Sequence, residues 1–77
     1  MSNTDQSRMA FGRHPDSLGG RIRAARIKAK LTQQELAEQL GVGQAKVSGW
    51  ERGVDPGVFV LQKIAAALGV KPSKLVD

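Results

Sequence analysis

Past residue 16, apolar positions along the chain fall into helical spacing. Leu18, Ile22, Ala25 and Ala29 recur at i, i+4, i+7 and i+11, which places them on one face of a first helix beginning near Ser17. Gly19 and Gly20 sit in its first turn, where each costs about 1 kcal/mol relative to alanine, so fraying is expected there. That helix must end before Thr32, and Lys30 stands where a left-handed glycine would be the comfortable exit. Thr32 followed three residues later by Glu35 reads as a capping box opening a second helix. Leu36, Ala37 and Leu40 supply the apolar stripe of that helix, and Gly41 offers the positive φ that closes it. After Val42 and Gly43, a third helix runs from Gln44 to about Arg52, where Gly53 can end it. Val58, Leu61, Ile64, Ala65 and Leu68 predict a fourth helix ended by Gly69, and Pro72 opens a short fifth containing Leu75. Phe59 and Val60 flank that fourth stripe, so part of the apolar surface is expected in solvent, covered by a second copy or by the N-terminal segment or a nearby loop.

The pattern yields an all-α chain of five helices. Its 77 residues are expected to make one domain over 17–77, preceded by a flexible tail over 1–16 whose Met9, Ala10 and Phe11 follow no period. Arg8, Arg13 and His14 make this segment either an inert tail or an arm reaching a neighbouring groove of a bound partner. With no cysteine and few aromatic residues, the core must be aliphatic helix packing without disulfide support. No apolar run has the length of a membrane span, and the first residues lack the apolar block of a secretory signal, so the expected location is the cytoplasm.

The formal charge of +5 would attract any polyanion. Arg21, Arg23, Arg26, Lys28 and Lys30 crowd one segment, which reads as either a solvated basic face or a phosphate-contacting one. The sharper signal is the two-helix unit from Gln33 to Arg52. Two short helices crossing steeply need a small residue at their contact, here Ala37, and a residue free to turn, here Gly41. At about 100° per residue, setting Val47 inward also turns Trp50 and Glu51 inward. Ala45, Ser48, Gly49 and Arg52 then face outward, with Gln44 and Lys46 on the flanks.

This is the pattern of a helix-turn-helix, and it assigns candidate DNA contacts. Gln33 and Gln34, at the start of the second helix, can add amide donors to the positive end of the helix dipole, with Gln33 the candidate phosphate contact. Gln44 can meet adenine N6 and N7 with both amide groups, a match worth roughly 1–3 kcal/mol of discrimination. Ala45 and Gly49 permit close approach and a methyl contact with thymine. Lys46 and Arg52 are candidate phosphate contacts, and Ser48 is a further reader. Trp50 is read as a core anchor because it shares the face of Val47.

Together these residues resemble the Cro/repressor-type helix-turn-helix family, called XRE. The matching positions are Ile22 and Arg26, Leu31-Thr32-Gln33-Gln34-Glu35-Leu36-Ala37, Gly41-Val42, Val47-Ser48, Trp50-Glu51-Arg52-Gly53 and Ile64 to Val70. The resemblance implies a compact, lambda-repressor-like five-helix domain with the motif in helices two and three. It also implies an ion pair between Arg26 and Glu51 tying helix one to helix three, with phosphate and base contacts from Gln33 and Gln44. Gly43, Ala45 and Gly49 depart from the family's usual residues by removing hydrogen-bonding side chains, which leaves readout to Gln44, Ser48, Lys46 and backbone shape.

The implied function is a sequence-specific transcriptional regulator of double-stranded DNA, repressing as a homodimer on an inverted repeat. The alternative is an antitoxin or adaptor that docks a protein partner through Val58 to Val60 and binds DNA secondarily. With no cofactor or metal expected, no cysteine, and His14 as the sole histidine, nothing points to an enzyme. The chain is expected to carry no effector-sensing domain after the fifth helix, leaving regulation to abundance, dimerisation or a separate partner.

Overall fold

The computed structural model describes residues 17–76. They form five helices: α1 (Leu18–Lys28), α2 (Gln33–Leu40), α3 (Gln44–Arg52), α4 (Val58–Leu68) and α5 (Pro72–Val76). The expectations for the N-terminal tail, including an arm carrying Arg8, Arg13 and His14, lie outside the described residues.

Each helix boundary has a local cause. Ser17 caps α1, its hydroxyl accepting from the Gly20 N–H at 3.0 Å. Gly19 and Gly20, the two glycines of that turn, lie within the helix and are both buried. At α2 the capping box is complete: Thr32 Oγ1 accepts from Glu35 N–H at 3.0 Å while Glu35 Oε1 accepts from Thr32 N–H at 2.8 Å. Gly41 and Gly69 close α2 and α4 with φ of 72° each. The exit of α1 has the same form with a lysine in place of glycine: Lys30 has φ 63°, and the Leu31 N–H donates to Arg26 O at 3.1 Å. A side chain in this conformation costs roughly 1–2 kcal/mol, and Lys30 is the one non-glycine residue with positive φ among those described.

The core gathers Ile22 from α1, Leu36 and Ala37 from α2, Val47 and Trp50 from α3, Ile64, Ala65 and Leu68 from α4 and Leu75 from α5. No helix can bury its stripe alone, and the packing is mutual: α3 lies against α1 and α2, while α4 packs on α1, α2 and α5. Ala37 is fully buried where the small contact residue of the two-helix unit was expected.

Three positions differ from the periodic reading. Ala29 is exposed because α1 ends at Lys28 and Ala29 is already its C-cap. Val58 is 70% exposed, whereas Val60 packs against the core. Val58 opens α4 in a turn that projects past the end of the core, and Val60, one turn before Ile64, takes the inward place. Phe59 is 81% exposed and rests on no neighbouring loop among the described residues. No helix among the described residues is long and apolar enough to cross a membrane.

Candidate nucleic-acid interface

The inward face of α3 fixes where its outward face points. Val47 and Trp50 anchor it in the core, and Glu51 is buried beside them at 3% exposure. A buried carboxylate needs charge compensation and hydrogen bonds. Arg26 supplies both: its Nε donates to Glu51 Oε2 at 2.6 Å and its Nη2 to Oε1 at 3.2 Å. Nη1 of the same guanidinium donates to Leu31 O at 2.8 Å, so the arginine also holds the loop that leads into α2. One residue thereby ties the end of α1, the entry to α2 and the last turn of α3.

The pair continues outward into the two glutamines. Gln33 Nε2 donates to Glu51 Oε1 at 3.1 Å, and Gln44 Nε2 donates to Gln33 Oε1 at 3.2 Å. The polarity of this relay is set by the carboxylate, which can only accept. The amide nitrogen of Gln33 must therefore face Glu51, its oxygen must face Gln44, and Gln44 must answer with its nitrogen. One N–H of Gln33 remains free, as do one N–H and the carbonyl oxygen of Gln44. A donor and an acceptor side by side are what the adenine N7 and N6 edge requires.

Spacing along the chain did not disclose this coupling, because Gln33 and Glu51 are 18 residues apart. The inward phase of Glu51 and the position of each glutamine in a first helical turn were its only traces in the sequence.

The other candidates distribute around this centre. Ala45, Lys46 and Arg52 are exposed, and Ser48 and Gly49 half-buried. Arg52 Nη1 donates to Ser48 Oγ, which holds the arginine along the helix surface. Gly43 gives α3 no side-chain cap, so its first-turn N–H groups are not claimed by a hydroxyl. Beside this face a hollow of about 400 Å³ runs from Ala45 and Gly49 to Val54 and Pro56. Gln34 stands apart: its Nε2 donates to Glu38 Oε2 at 3.1 Å along the exposed side of α2, outside the relay. No group of acids or histidines able to hold a metal occurs among the described residues.

The comparisons agree with this architecture. The helix-turn-helix family pattern matches residues 22–75, and the chain belongs to that family, in its Cro/repressor-type XRE branch. It is 36% identical over 61 residues to the immunity repressor protein of Bacillus phage phi105, covering 78% of this chain and 42% of that one. It is 39% identical over 61 residues to the HTH-type transcriptional regulator ImmR of Bacillus subtilis, covering 78% of this chain and 48% of that one. Over 58 residues it is 40% identical to the HTH-type transcriptional regulator PrtR of Pseudomonas aeruginosa, covering 75% of this chain and 23% of that one. The chain thus spans less than half the length of these curated relatives. No solved structure matches it significantly.

Proposed function

We propose that this domain binds double-stranded DNA sequence-specifically and regulates transcription, with α3 as the recognition helix in the major groove. The observation that carries this reading is the relay from Arg26 through Glu51 and Gln33 to Gln44, which orients an adenine-reading amide on an exposed helix otherwise anchored in the core. Gln44 reads a base, and the free N–H of Gln33 contacts a phosphate. Lys46 and Arg52 add phosphate contacts, and Gln34 adds an amide donor at the start of α2. Ala45, Ser48 and Gly49 form the close-approach surface between them. The relative named an immunity repressor protein supports repression as the sign of the effect.

A homodimer on an inverted repeat fits this reading, with half-sites about 34 Å apart. Val54, Val58 and Phe59, at 61%, 70% and 81% exposure, provide apolar surface for the second copy. The chemistry is recognition with no reaction step, carried out in the cytoplasm.

Selection of binders from a random duplex pool, followed by sequencing, tests the proposal. A palindromic consensus is expected. A single enriched half-site would remove the homodimer while keeping the reader. Salt-sensitive binding without enrichment would overturn sequence-specific recognition in favour of an adaptor that docks protein through Val58 to Val60.

A further inference from the structure

We infer that a groove on the side of α1 remote from the recognition helix docks an acidic, amphipathic helical segment of another protein. The groove encloses about 500 Å³ between α1, the α4–α5 turn and α5, and neither α2 nor α3 lines it. Ala25, Leu68, Val70 and Leu75 make its floor. Cationic side chains stand around that floor, Lys28 on α1 and Lys74 on α5, with Arg21 at one end. Not one acid among the described residues lines it. Neither Lys28 nor Lys74 is paired with a carboxylate among the described residues.

An apolar trough edged by Lys28 and Lys74, with no carboxylate of the described residues on either, calls for apolar anchors flanked by carboxylates. A helix presenting leucines at i, i+3, i+4 and i+7 with glutamates alongside has that form. The protein itself offers a poor source of one. Residues 1–16 balance Asp5 and Asp16 against Arg8 and Arg13, so they bring no net negative charge. The chain as a whole carries +5, and its three glutamates are already engaged: Glu51 in the buried pair, Glu35 in the capping box and Glu38 with Gln34. A second copy would therefore meet the groove with like charge. The occupant is a different, acidic protein, and because the groove lies off α2 and α3 it can be filled while DNA is held.

The test is a titration of the isotopically labelled full chain with a synthetic helical peptide of about 18 residues, long enough to hold helix, bearing leucine anchors and glutamate flanks. A second peptide carries lysine for each glutamate. Saturable amide shifts confined to Ala24, Ala25, Leu68 to Val70 and Leu75 are expected with the acidic peptide alone. Lys28→Gln/Lys74→Gln should weaken that binding at least about tenfold, with an unchanged melting temperature and an affinity for duplex DNA no lower than in a Lys63→Gln/Lys71→Gln control that removes the same charge outside the groove. Three results would each overturn the inference: no saturable shifts, equal binding of the lysine peptide, or shifts centred on Gln44 to Arg52. Loss of duplex affinity in the double variant beyond that of the charge-matched control would overturn it too, by assigning both lysines to the DNA surface. Failure of the chain to bind any DNA would leave the peptide result standing, so this inference and the DNA-binding proposal fail separately.

Discussion

On its inner face α3 carries Val47, Trp50 and Glu51, all buried. On its outer face Ala45, Lys46 and Arg52 stand exposed, with Ser48 and Gly49 half-covered beside them. Each inner residue is accounted for by the chain itself, as an aliphatic contact, an aromatic anchor and the partner of Arg26. Of the outer residues, Arg52 and Ser48 hold each other, and Ala45, Lys46 and Gly49 have no such account. Gly49 is the clearest case, because a β-carbon built there would meet the Val54 side chain at 3.6 Å, an ordinary contact. Nothing among the described residues requires a glycine at that point. The comparison separates residues chosen by the fold from residues that answer to something outside it, and each of the following substitutions presses on one side.

The largest effect is expected from Glu51→Ala. Arg26 would keep its charge in a site where its side chain is 11% exposed, and removing one member of a buried pair costs about 3–5 kcal/mol. A domain of this size has little more than that to spare. Thermal melting should show a loss of at least ten degrees, on the scale of about 4–8 °C per kcal/mol for small domains. Arg26→Ala combined with Glu51→Ala should recover part of the loss. A wild-type melting curve for the single variant would place Glu51 with the dispensable residues and dissolve the distinction between the two faces.

Gln44→Ala tests the opposite side. Stability should stay within about 0.5 kcal/mol of wild type, while preference at one base pair falls by roughly 1–3 kcal/mol in competition binding. Gln33→Ala sharpens the point. It removes the acceptor that orients Gln44 without removing Gln44 itself, so selectivity at the same base pair should fall, together with a loss of general affinity from the phosphate contact. Selectivity retained in both variants would take the relay out of recognition and leave it as packing.

Much of this division was legible from the sequence, for reasons that are local. The capping box at Thr32 and Glu35, the turn at Gly41 and the inward phase of Val47, Trp50 and Glu51 all depend on neighbours within one or two turns, and the structure has each of them. What lay hidden depends on distance or on helix ends. Val58 and Val60 exchange places because a run of four apolar residues, Val58 to Leu61, is compatible with more than one phase, and only the end of the core decides which valine turns inward. The Ser17 cap was masked by the two glycines after it, whose low helix propensity argued for a frayed turn. The relay required knowing that the first turns of α2 and α3 meet above Glu51.

Gly49→Ala should separate the faces more finely. Replacing glycine in a helix interior gains about 0.5–1 kcal/mol, and the added methyl meets only Val54. Melting should therefore rise by a few degrees. If close approach to DNA is what retains the glycine, duplex affinity should fall at the same time, giving a variant that is more stable and a weaker binder. Stabilisation with unchanged affinity would show that the outer face tolerates a weak helix there without a functional reason.

The smallest effect belongs to Gly43→Ser, where the two sides meet at one residue. Gly43 has φ −81° and ψ 156°, an ordinary extended conformation, and a β-carbon there would touch nothing within 4 Å. Serine can therefore enter without strain and cap α3, adding only a few tenths of a kcal/mol because glycine is already a tolerable N-cap. Its hydroxyl would then accept from a first-turn N–H that Gly43 leaves unclaimed. In the protein alone this is a small gain in melting temperature. In a complex the serine O–H can donate to a phosphate in its place, so affinity should hold or rise slightly, with selectivity at the Gln44 base pair unchanged. A drop in affinity alongside the gain in stability would mean that the bare N–H itself meets the backbone of the DNA, and would set Gly43 beside Gly49 among the residues explained by the ligand.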